Sequence, residues 1–77
     1  MAHAPHELAE EFPDKVQRIQ VLKATDAHFR KLAEEYETVN HAVYRAEANL
    51  DPTDNFHEAE LRKNRLVLKD QIARMLA

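Results

Sequence analysis

The chain contains no cysteine, no glycine and no serine. Each absence removes a class of chemistry. Without cysteine there are no disulfides and no thiolate metal sites, and the composition suits a reducing compartment. Without glycine the backbone does not readily form primed hairpin turns, phosphate-cradling loops or close approaches to a ligand. P-loop and dinucleotide-binding folds therefore drop out, and an all-helical chain is favoured. Without serine, the aliphatic hydroxyls reduce to Thr25, Thr38 and Thr53, which leaves nucleophilic catalysis almost without candidates. No apolar run approaches the ~18 residues of a membrane span. The start, Met1 to Glu7, lacks the basic and then apolar order of a secretory leader, so the expected address is cytoplasmic. A net charge of −3 over 77 residues lowers the expectation of a duplex nucleic-acid binder.

What is present is a heptad pattern. Phe29, Leu32, Tyr36, Val39, Val43, Ala46 and Leu50 recur at alternating spacings of three and four. Such a row marks an amphipathic helix seeking a partner helix. A second row, Leu61, Arg65, Leu68, Ile72 and Met75, follows the one clear turn signal, Leu50 to Asn55 with Pro52 at its centre. Pro52 pushes Asp51 out of the helical region, and Asn55 with Glu58 forms a variant capping box. Folding the two rows antiparallel pairs Val43 with Leu61, Val39 with Arg65, Tyr36 with Leu68, Leu32 with Ile72 and Phe29 with Met75. All five pairs share one centre, at Pro52, so two independent rows and the turn imply one register.

The expected architecture is all-α: an antiparallel helical hairpin with a shorter N-terminal helix, coiled-coil-like, in a single domain over residues 1–77. The expected elements are a frayed tail at 1–5, a first helix over about 6–24, a second over about 26–49, a turn at 50–54 and a third helix over about 55–76. The first helix starts near His6 or at Pro13, a first-turn proline. Its apolar row, Val16 and Ile19, is out of phase with the Phe29 row. Such a slip marks a break or a stammer. Thr25-Asp26 offers N-cap chemistry at that point and favours the break.

Two helices alone are marginal for a chain this short. The third helix also carries a second apolar face, Ala59, Leu66, Val67 and Ala73, turned away from its seam. Either the first helix folds back over that face or another chain covers it. No glycine or proline lies between Leu22 and Phe29 to reverse the chain. The expectation is therefore self-association, with a dimer favoured, and a candidate interaction surface of Leu66, Val67, Ala59, Ala73 and Arg65.

Asp26-Ala27-His28-Phe29, Leu32, Tyr36 and Glu47, followed by Leu61-Arg62-Lys63-Asn64-Arg65-Leu66-Val67-Leu68-Lys69-Asp70-Gln71-Ile72, resemble the YdcH-like family of small bacterial proteins of unknown function. The resemblance runs from roughly Glu11 to Leu76. It implies a helical, coiled-coil-forming protein with no assigned activity, cofactor or catalytic residue, and so no functional residue carries over.

The remaining constellations are weak. His3 and His6 stand three apart but lie in the expected tail with no further ligand, and no metal or cofactor is expected. Lys69 and Asp70, like Glu34 and Glu35, are adjacent on a helix and point about 100° apart, which is no catalytic pair. No enzyme is expected. Arg65 is an arginine in an apolar seam. Its stem covers apolar surface while its head reaches Glu35 or another chain, or it is a buried polar residue that fixes register. Residues 56–77 carry a net charge of +2 and residues 1–14 carry −4. The favoured function is a non-catalytic interaction or scaffold module. The alternative is a nucleic-acid-associated accessory protein using the basic face of the third helix.

Overall fold

The computed structural model describes residues 5–48 and 55–77. The expected turn at Pro52 and the seam residue Leu50 lie outside the described residues. Among those described, all regular structure is helical. The order is α1 (Leu8–Glu11), a 3-10 turn (Pro13–Lys15), α2 (Val16–Thr25), α3 (Ala27–Glu47) and α4 (Asn55–Leu76). The long helices α3 and α4 form an antiparallel hairpin. Arg62 reaches Glu47 where α3 ends and α4 begins, Arg65 reaches Asn40 farther along, and Ile72 and Leu76 join Phe29 and Leu32 at the other end.

Where one N-terminal helix was expected over 6–24, the backbone forms three pieces. Phe12 sits at φ −129° and ψ 63°, outside the helical region. The cause is local: a proline following Phe12 disfavours the α conformation there, and Pro13 then opens a new turn.

The junction between α2 and α3 is a break of one residue. Asp26 is extended at φ −126° and ψ 107°, and its carboxylate accepts a hydrogen bond from the Phe29 amide at 3.0 Å. Thr25 stays in α2, where its hydroxyl donates to the Val21 carbonyl. The doubted reversal therefore takes place without glycine or proline. An aspartate cap needs only the β region, which every residue enters freely.

The N-terminal segment thus folds back onto the hairpin. Leu8 and Ile19 enter one cluster with Phe29, Leu32, Ala33, Tyr36, Ile72 and Leu76. This cover shifts the core around both long helices. Of the seam residues, Phe29, Leu32, Tyr36, Val43 and Ile72 are buried, but Val39, Leu61, Leu68 and Met75 are only half-buried. Ala33, Asn40 and Leu76, off the seam, are buried instead. At about 100° per residue the buried arc is turned by roughly 30–40° from the heptad row, toward the N-terminal segment.

Candidate interaction site

The hairpin has two flanks along the α3–α4 contact. One is covered by residues 5–25 and is lined by polar side chains. The Tyr36 hydroxyl donates to the His6 carbonyl at 2.6 Å, and Asn40 Nδ2 donates to the Pro5 carbonyl at 2.9 Å. Arg65 Nη1 donates to Asn40 Oδ1 at 3.1 Å. Lys69 Nζ lies 2.7 Å from Glu11 Oε1, and His6 Nδ1 lies 3.4 Å from Glu11 Oε2. His41 stands 3.5 Å from Glu7. Asn40 is only 1% exposed, so its amide depends on these partners alone to offset desolvation. Among the described residues no buried side-chain polar atom is left without a partner.

Electrostatics follow this geometry. Burial pushes the Tyr36 hydroxyl up to about 12, with the nearby Glu11 charge adding to the rise. The hydrogen bond from Lys69 holds the Glu11 carboxyl below its ordinary value, against the effect of burial. His6 carries φ +66°, in the left-handed region that histidine enters more often than most non-glycine residues. The Tyr36 bond fixes its carbonyl in that turn.

The other flank is open. A groove of about 630 Å³ runs between α3 and α4 with Val39, Val67 and Leu68 on its apolar surface. Lys31, Glu34 and Glu35 border it on α3, and Asn64 borders it on α4. Val67 is 50% exposed.

The expected surface of Ala59, Leu66, Val67, Ala73 and Arg65 is not one surface. Leu66, 58% exposed, borders a small pocket with His6, Glu11 and Lys69 on the covered flank, whereas Val67 lines the open groove. Consecutive residues diverge by about 100°, so the helix splits them to opposite sides. Ala59 is exposed and Ala73 half-buried. The N-terminal segment folds back without covering either Leu66 or Val67. Arg65 reaches Asn40 rather than Glu35. Sequence reasoning passed over Asn40. The available signal was a lone amide one residue past the seam position Val39.

The basic face of α4 is largely engaged within the chain. Arg62 pairs with Glu47 and Glu58, Arg65 with Asn40, and Lys69 with Glu11. His28, His41 and His57 are exposed, and among the described residues no three metal-ligating side chains converge. His3 lies outside the described residues.

A family model described as a protein of unknown function, DUF465, matches residues 29–76. The chain belongs to this family. The YdcH-like proteins are members of it as well. The DUF465 match opens at Phe29, near the start of α3, and closes at Leu76, the last residue of α4. It is the hairpin that makes the chain a DUF465 protein. The segment that covers one flank stands outside the match, although the resemblance read from sequence reached back to Glu11. Comparisons with curated proteins and with solved structures each gave no match.

Proposed function

We propose that the protein is a non-catalytic helical interaction module that self-associates through the open flank of its hairpin. The observation that carries this reading is the apolar groove of Val39, Val67 and Leu68, left uncovered while the chain spends its own N-terminal segment on the opposite flank. Apolar surface exposed along a groove between helices is the usual seat of a further helix. The neighbouring charges, Lys31, Glu34 and Glu35, would form the polar border of such a contact. No helix among the described residues is long and apolar enough to cross a membrane.

The test is mass in solution. Light scattering behind a sizing column at tens of micromolar should give more than one chain for the wild type. Val67→Glu should bring the mass to one chain, and Leu66→Glu, on the other flank, should not. A wild type that elutes as a single chain at that concentration rejects self-association.

A further inference from the structure

The exposed row of α4 has a charge order that selects its own partner. Phe56, Glu60, Lys63, Val67, Asp70 and Arg74 recur at spacings of four and three and are all exposed. At about 100° per residue they form one stripe beside the open groove, the stripe on which Val67 stands. Around Val67 the charges are antisymmetric. Glu60 lies one heptad before it and Arg74 one heptad after; Lys63 lies one turn before it and Asp70 one turn after. Among the described residues, neither Glu60, Lys63 nor Arg74 takes part in an ion pair.

We infer that the partner of the groove is a second copy of this chain, whose α4 lies antiparallel along α4 of the first, with a twofold axis beside Val67. The inference rests on the self-association proposed above and adds its geometry. In this arrangement Glu60 faces Arg74 of the second copy, Lys63 faces Asp70 of the second copy, and the twofold axis makes each pairing twice. Val67 meets Val67 of the second copy at the centre. A parallel pairing would set each charge against its own like, which disfavours it. The hairpin register agrees. With Asn40 level with Arg65, Lys31 stands level with Glu60 of the second copy, and Glu34 with Lys63 of the second copy. The border of the groove thus offers two of the incoming charges, Glu60 and Lys63, a second opposite charge.

The chain has no cysteine, so one introduced thiol is a clean reporter. Val67→Cys in the full chain, treated with a short bis-maleimide, should yield a covalent species of twice the 9.0 kDa chain mass, and Leu66→Cys should yield far less. Arg74→Glu should weaken dimerisation about tenfold, and adding Glu60→Arg should restore it, because the reversed pair is again complementary. Circular dichroism confirms that each variant is folded. A wild type that is monomeric by light scattering removes the underlying reading together with this geometry. A wild-type dimer in which Leu66→Cys links better than Val67→Cys, or in which the double reversal fails to restore binding, leaves self-association standing and overturns the antiparallel α4 pairing.

Discussion

The two flanks of the hairpin are finished differently. The covered flank joins an apolar cluster, which Leu8 and Ile19 enter, to a polar edge of Tyr36, Asn40, Arg65 and Lys69, whereas the exposed flank is apolar at Val39, Val67 and Leu68. The polar groups can be buried because the N-terminal segment supplies acceptors matched to them, two backbone carbonyls and one carboxylate. The apolar groups have no such cover within the chain. Burial here follows which segment is available to lie on a face, and a polar face binds a segment in register where an apolar face would only hold it loosely. The covered flank therefore fixes the chain's own fold, while the apolar flank stays open.

Substitutions can break this comparison at its root or sharpen it on one side. The largest effect is expected at Phe29, which is fully buried in the cluster that both flanks share. Phe29→Ala should cost ~3–5 kcal/mol, read as a fall in the denaturant midpoint, and should disrupt both flanks together. Asn40→Ala strikes the polar flank alone. It leaves the Pro5 carbonyl and the Arg65 guanidinium without their partner, at ~1–3 kcal/mol. Amides of residues 8–25 should then exchange with deuterium faster than those of α3, and the oligomeric mass should not change. Equal acceleration in both regions would show that the cover and the hairpin form one cooperative unit.

Asp26→Ala removes the cap that reverses the chain and should cost about 1 kcal/mol. Its loss should loosen the covered flank first, because the cap sets the path of α2 back over α3.

pH sharpens the same contrast. The Tyr36 hydroxyl is raised to about 12 in the folded chain, so the folded state holds its proton where an unfolded tyrosine has lost it. Stability from this group is complete below pH ~10 and is lost as pH rises toward 12. Ultraviolet titration of a Tyr44→Phe variant reads Tyr36 alone and should show this late ionisation. Glu11 has the opposite sign. Its folded value is depressed by Lys69, so its contribution is present above the ordinary carboxylate range and fades as pH falls through the folded value. A shift in the Glu11 side-chain carboxyl resonance with falling pH, moved upward in Lys69→Met, checks it. The smallest effect on chain stability is expected for Val67→Glu, within ~0.5 kcal/mol for the isolated chain, because Val67 is already half exposed. A large loss there would mean that the apolar flank is covered in the free chain, and the contrast between the flanks would fail.

Much of the hairpin was legible because its signals are local. Row spacing gave two helices, and the absence of glycine removed the β alternatives. The Thr25-Asp26 pair marked the break, although the lack of glycine there was read as a bar to reversal. Leu66 and Val67 were read together as one surface from their neighbouring positions, and only the helix's rotation against two different neighbours separates them. Asn40 was not legible as a site because its role depends on Pro5 and Arg65, far from it in the sequence.

The sequence by itself determined the helical class, the long paired helices and the antisymmetric charges around Val67. Each depends on spacing along one helix, which 3.6 residues per turn translates directly into a face. The tertiary structure alone decided which face became the core. The heptad row includes Val39 and Leu68, yet both are only half-buried, and the buried arc centres nearer Tyr36 and Ile72. A third layer drew it there, held by hydrogen bonds from Tyr36 and Asn40 to backbone carbonyls some thirty residues away. Every residue has such a carbonyl, so no side-chain pattern can announce which of them will be chosen.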